Sequence, residues 1–131
     1  MEQSPRSCIL VADDDPDILN LVQRRLTLDG HDVVPARDGD EARALAEEHH
    51  PDALVLDVVM PGQDGLELTR WAREEYEDRE IPIILLSART QAPDIARGLA
   101  AGADEYLTKP FSRDDLRGRL RRLISEGQRT A

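Results

Sequence analysis

The chain has 131 residues, of which 40% are apolar, 34% charged and only 3% aromatic, as expected of one globular domain with an aliphatic core. Its formal net charge of −10 argues against direct binding to nucleic acid or to an anionic membrane surface. The single Cys8 excludes an internal disulfide, and the lack of a long apolar run or a signal peptide predicts a cytoplasmic location.

Five short apolar runs alternate with five amphipathic stretches. The predicted strands span residues 8–12, 33–36, 53–57, 83–87 and 106–108. The first, third and fourth runs are continuously apolar, which is typical of strands that are covered on both faces. Pro35 interrupts the second run, so we expect that strand at an edge of its sheet.

The helices are predicted from their end signals as well as from their periodicity. Asp15 and Pro16 open the first, over residues 16–29, and Gly30 follows its end. Further helices are predicted over residues 40–48, 66–75 and 93–101. Ser112 and Asp115 have the spacing of a capping box at the start of the fifth helix.

This alternation predicts an α/β fold, a five-stranded parallel sheet with helices on both faces. Right-handed crossovers leave few topologies, and the flavodoxin-like order 2-1-3-4-5 places strand 2 at an edge. Such a sheet binds its ligand at the carboxyl ends of the strands, where strands 1 and 3 meet. We expect this domain to span residues 1–124, with a polar tail or truncated linker over 125–131.

Polar side chains follow four of the five predicted strands. Asp13 and Asp14 come directly after the first strand, Asp57 and Ser87 end the third and fourth, and Lys109 follows the fifth. Each of them could be a cap, a turn residue or a solvated charge. Because the carboxyl ends of parallel strands meet at one edge of the sheet, their joint occurrence there indicates a site instead.

The residue types at this edge suit phosphoryl transfer. Three carboxylates in one pocket repel one another, and Mg²⁺, which binds carboxylates, water and phosphate, would relieve that repulsion. An EF-hand is excluded because Ile18 and Arg24 stand where its glycine and closing glutamate belong. Lys109 and Ser87 could neutralise and hydrogen-bond a phosphoryl group, so that a carboxylate acts as the nucleophile.

Four motifs in order carry a resemblance to a known family. They are ILVADDD from Ile9, LVLDVVMPGQDG from Leu54, ILLSA from Ile84 and GADEYLTKPF from Gly102. From Cys8 to about residue 124 the sequence resembles the receiver domains of response regulators, the CheY-like superfamily. The resemblance implies a two-component phosphorylation switch, not a separate enzyme, that catalyses only its own phosphotransfer and slow autodephosphorylation.

By position, the resemblance implies that a sensor histidine kinase phosphorylates Asp57. Asp14, Asp57 and the backbone carbonyl of Val59 would ligate Mg²⁺, with Asp13 holding it through water. Lys109 and Ser87 would contact the phosphoryl group.

The resemblance also implies how the signal leaves the site. Ser87 and Tyr106 would move together as the switch, and the peptide bond from Lys109 to Pro110 would be cis. The segment from the fourth helix to the fifth further resembles receivers that precede winged-helix DNA-binding domains and pair as homodimers. By position, Glu105 would form an ion pair with Arg119 of the partner copy. Asp115 would supply the acid of a second pair, for which Arg97 would have to replace the basic residue that the family has at the position of Ile95.

Three alternatives remain at this stage. A haloacid-dehalogenase-type phosphatase would need a second acid at position 59, where this sequence has Val59. A phosphorylation-independent interaction module would usually have lost an acidic residue or the lysine. The chain could also be either a stand-alone regulator or the first part of a longer one.

Overall fold

The computed structural model describes residues 7–89 and 91–130, in which five strands alternate with five helices. In chain order they are β1 Cys8–Ala12, α1 Pro16–Leu28, β2 Asp32–Ala36, α2 Gly39–His49, β3 Ala53–Asp57, α3 Gly65–Glu74, β4 Ile83–Ser87, α4 Ala92–Ala101, β5 Glu105–Thr108 and α5 Arg113–Thr130. All ten predicted elements are present, and where a predicted bound of a strand or of the first four helices differs, it moves by one residue.

The strands form one parallel sheet in the order β2-β1-β3-β4-β5, which confirms the predicted topology. Pro35 lies in β2, at an edge, where its missing N–H removes no bond from the interior of the sheet. In the register of the sheet, Asp57 aligns with Leu86 and Ser87 with Thr108. The carboxyl ends of β1, β3, β4 and β5 therefore meet at one edge.

Two apolar layers hold the helices against the sheet. Leu10, Leu54 and Leu56 face the layer that includes buried residues of α2 and α3. Their neighbours Ile9 and Val55 face the opposite layer, which includes buried residues of α1 and α5. Successive side chains of a strand point to opposite faces, so continuously apolar strands can fill both layers.

Helix ends follow the capping signals. Asp15 accepts from the N–H groups of Asp17 and Ile18 at the start of α1, and Ser112 Oγ accepts from the Asp115 N–H at 3.0 Å in α5. α5 continues to Thr130, so residues 125–130 of the predicted polar tail are helical. Among the described residues, no helix is both long and apolar enough to cross a lipid bilayer.

Candidate functional site

Three carboxylates converge where β1 and β3 end. One oxygen from each of Asp13, Asp14 and Asp57 lies within 4.8 Å of the others. The side chains of Asp13 and Asp57 are buried, with residue exposures of 1% and 7%, whereas Asp14 is exposed. The adjacency of β1 and β3 in the sheet brings the three together, as the sequence predicted from the order of the strands.

Lys109 supplies the positive charge that faces this cluster. Its Nζ lies 3.0 Å from Asp13 Oδ2 and 3.4 Å from Asp57 Oδ2. The Lys109 N–H donates to the Ser87 carbonyl at 2.7 Å, and the peptide bond to Pro110 is cis. Lys109 is the only lysine in a sequence that has 17 Lys and Arg residues. The compact ammonium group of a lysine is therefore found at this site, whereas the other basic side chains carry the broader guanidinium group of arginine.

The cluster has too little positive charge for its carboxylates. Burial, followed by repulsion from Asp13, raises the pKa of Asp57 from 3.8 to about 6 although Lys109 opposes the shift. Burial alone would lower the pKa of Lys109, but its bond to Asp13 and the charges of Asp57 and Asp13 outweigh burial and raise it. Lys109 therefore stays charged while Asp57 resists ionisation. A set of carboxylate oxygens in this state fits a hard dication such as Mg²⁺.

Ser87 and Tyr106 are connected through the backbone of Arg89. The Ser87 Oγ accepts a hydrogen bond from the Arg89 N–H at 3.0 Å. The Tyr106 hydroxyl donates to the carbonyl oxygen of Arg89, also at 3.0 Å. The sequence predicted Ser87 and Tyr106 as switch residues but not their link through Arg89, because contacts to backbone atoms do not depend on residue type.

The loop between β3 and α3, which follows Asp57 in the chain, forms one wall of a cavity. Val59, in this loop, is 50% exposed. The cavity has a volume of about 230 Å³ and is lined in part by Val59, Leu66, Arg89, Arg97 and Tyr106. Tyr106, the predicted switch aromatic, therefore lines a space large enough for a side chain to change position.

Three of the predicted dimer residues, Glu105, Arg119 and Arg97, have side-chain partners within the chain. Glu105 pairs with Arg119 and also with Arg122, both on α5. Arg97 pairs with Asp94 at 2.7 Å. An intermolecular bond between Glu105 and Arg119 would thus have to replace an intramolecular one.

Residues 9–121 match the response regulator receiver domain family. The chain belongs to this family. It is 46% identical over 116 residues to the transcriptional regulatory protein TrcR of Mycobacterium tuberculosis, which covers 88% of this chain and 44% of the relative. It is 44% identical over 128 residues to the transcriptional regulatory protein PrrA of Mycobacterium bovis, and this alignment covers 98% of this chain and 53% of PrrA. The receiver domain therefore spans about half the length of these curated relatives.

Solved receiver domains have the same fold. The receiver domain of the Francisella response regulator 1452 aligns with a TM-score of 0.87 and 36% identity, over 93% of this chain and 99% of that one. The receiver domain of the Pseudomonas aeruginosa sensor kinase PA1611 aligns with a TM-score of 0.85 and 34% identity, over 92% and 99%. The latter is described with a magnesium ion coordinated in its active site cleft.

Proposed function

We propose that this receiver domain accepts a phosphoryl group from a sensor histidine kinase onto Asp57 in a Mg²⁺-dependent reaction. One observation carries the proposal: Asp57 shares its pocket with Asp13, Asp14 and the only lysine of the sequence. Family membership supports the reaction, and the geometry supports the choice of residue. Burial and repulsion from Asp13 raise the pKa of Asp57, as expected of a nucleophile that is short of counter-charge.

Asp14, Asp57 and the Val59 carbonyl would hold Mg²⁺, with Asp13 binding it through water. When bound, the ion supplies positive charge to the phosphoryl oxygens and to the carboxylates. An Asp57 carboxylate oxygen attacks phosphorus, the P–N bond of the phosphohistidine breaks, and the imidazole leaves with a proton. The product is an acyl phosphate on Asp57. Because the pKa of Asp57 is about 6, the attacking carboxylate is ionised at neutral pH.

Lys109 and Ser87 stabilise the phosphoryl group by donating hydrogen bonds to its oxygens. Ser87 can donate only if its Oγ turns toward the phosphorus, which alters the bond it accepts from the Arg89 N–H. The carbonyl oxygen of the same residue, Arg89, accepts from the Tyr106 hydroxyl, so a movement of Arg89 would break or change the hydrogen bond that holds Tyr106. This sequence of contacts links phosphorylation to the surface of α4, β5 and α5.

A small phosphodonor, acetyl phosphate, tests the proposal on the purified chain with Mg²⁺. We expect acid-labile phosphate on the wild type, none after Asp57→Asn, and none when a chelator removes the metal. Asp52→Asn is the matched control, because Asp52 lies at the amino end of β3, at the opposite edge of the sheet. Undiminished labelling of Asp57→Asn would overturn the assignment.

We propose how the phosphorylated domain acts on its target from the length of its relatives and from the charged surface of α4, β5 and α5. Relatives named as transcriptional regulators are about twice as long, which favours a receiver that controls a further domain over a stand-alone protein. We propose that phosphorylation promotes a homodimer through α4, β5 and α5, with Glu105 exchanging its bond to Arg119 for the partner copy's arginine. Sedimentation with beryllofluoride and Mg²⁺ tests this, since Glu105→Arg should weaken the dimer and Arg119→Glu in addition should restore it. A monomer under all conditions would favour a stand-alone regulator.

A further inference from the structure

The first residue of α2, Gly39, lies directly against the loop between β3 and α3. Its N–H donates to the Pro61 carbonyl at 3.3 Å. A β-carbon built on Gly39 would overlap the carbonyl oxygen of Gln63 and lie 2.9 Å from the Gln63 Cα. Real β-carbons essentially never approach other atoms closer than 3.0 Å, so any other residue at position 39 must displace something.

The same loop is in tight contact with its surroundings at two further glycines. Gly62 has a φ of +74°, and a β-carbon there would lie 2.6 Å from the carboxylate of Asp40, the second residue of α2. Gly65 donates its N–H to the Val58 carbonyl at 2.9 Å, and a β-carbon on it would lie 2.5 Å from the Asp57 carbonyl oxygen. The loop is therefore closely packed against the Asp40 side chain at its centre and against the backbone of Asp57 and Val58 at its end.

The start of α2 is the more firmly held of the two surfaces in contact. Asp38 caps the helix by accepting from the Glu41 N–H at 2.8 Å, and the Glu41 carboxylate accepts from the Arg37 N–H at 2.8 Å. Ala42, in the next turn, is buried in the apolar layer. The loop residues Pro61 and Gly62 are exposed, so a side chain added at Gly39 would displace the loop before it displaced the helix.

We infer that Gly39 is a positioning residue of the metal site, which fixes the β3–α3 loop and through it the carbonyl of Val59. The inference rests on the proposed function, because Val59 is a predicted ligand within that loop. Groups that orient metal ligands without touching the ion typically change metal affinity by about 10–100-fold when they are altered. A glycine can act in this way when its lack of a side chain lets two backbone segments, here the start of α2 and the β3–α3 loop, lie in direct contact.

Calorimetric titration of the purified chain with Mg²⁺ tests the inference without any phosphodonor. Gly39→Ala should weaken Mg²⁺ binding by about tenfold. Gly118→Ala is the matched control, because a β-carbon on this α5 glycine meets no atom within 4 Å, and its Kd should equal that of the wild type. A folded Gly39→Ala protein that binds Mg²⁺ as tightly as the wild type would overturn the inference.

Hydrogen exchange of the wild-type chain gives a second, independent readout if Gly39→Ala does not fold. Mg²⁺ should slow amide exchange in residues 58–64 and also in residues 39–42, because the two segments are in contact, but not around Gly118. Protection confined to the loop would contradict the inference. A wild-type chain that binds no Mg²⁺ would instead contradict the proposed function, so the two failures are distinguishable.

Discussion

Charged side chains lie at both the amino and the carboxyl ends of the strands of the same parallel sheet. The charges are neutralised by partners at the amino edge but not at the carboxyl edge. At the amino edge, Arg73 donates to the carbonyl oxygens of Gly102, Arg79 and Ile81 and to the Asp104 carboxylate, over 2.7–3.0 Å. Asp104 also accepts from the N–H of Ile83, the first residue of β4, at 2.8 Å. Arg73 and Asp104 therefore each have both a counter-charge and backbone partners.

At the carboxyl edge, by contrast, three carboxylates cluster and Lys109 pairs with only two of them, Asp13 and Asp57. Replacing one of these carboxylates with a neutral residue would remove their mutual repulsion, but the sequence keeps all three. Together with burial, the repulsion from Asp13 raises the pKa of Asp57. Balanced charges at one edge stabilise the structure, whereas the unbalanced like charges at the other edge fit the proposed site for a cation and a phosphoryl group. Three substitutions test this comparison.

The largest effect is expected at the amino edge. Arg73→Met should lower the free energy of unfolding by about 3 kcal/mol, mainly because it leaves the carbonyl oxygens of Gly102, Arg79 and Ile81 without their donor. Mg²⁺ affinity should not change, since the opposite edge of the sheet is intact. Urea unfolding with a chelator present measures the loss, and Arg70→Met, on the exposed side of α3, is the control. A loss below about 1 kcal/mol would mean that the network adds little stability.

A stabilising effect is expected at the carboxyl edge. Without metal, Asp57→Asn should raise the free energy of unfolding by about 1–3 kcal/mol, because a raised pKa measures the cost of the buried charge. The folded chain holds its Asp57 proton up to about pH 6, while the unfolded chain loses it near 3.8. Wild-type stability is therefore lost as pH rises through this window, and the advantage of Asn should grow over the same range. An advantage that is constant from pH 4 to pH 8 would indicate a cause other than charge.

The smallest effect has the opposite sign. Asp52, at the amino edge, accepts from the Cys8 N–H at 2.7 Å. Asp52→Asn keeps an acceptor but loses the charge, so the free energy of unfolding should fall by about 0.5–1 kcal/mol. Paired measurement of Asp52→Asn and Asp57→Asn thus compares one chemical change at the two edges. If both variants were stabilised, the contrast between the edges would be wrong.

The fold and the position of the candidate site were largely predictable because their signals are local. Continuous apolar runs predict strands that are covered by helices on both faces of the sheet. The order of the strands then brings Asp13, Asp57 and Lys109 to the carboxyl edge. One visible signal was missed: Asp64 and Glu67 form a capping box at the start of α3. Their acid-to-acid spacing of three residues before an apolar run could have indicated it.

Other features could not be predicted because backbone atoms supply the contacts. Most of the partners of Arg73 are carbonyl oxygens, which every residue type has. The closeness of Gly39 to Gln63 depends on how a helix and a loop approach one another. Several arginines of α5 could have reached Glu105, and sequence alone does not distinguish an intramolecular bond from the expected intermolecular one.

Chemical identification of the phosphorylated residue in the wild-type chain tests the central claim most directly. Borohydride reduces an acyl phosphate to an alcohol, which converts a phosphorylated aspartate to homoserine that peptide mass spectrometry can locate. After treatment with acetyl phosphate and Mg²⁺, we expect homoserine at position 57 alone, and none when the metal is removed. Homoserine at position 13 or 14, or an equal yield at position 57 without Mg²⁺, would contradict the account.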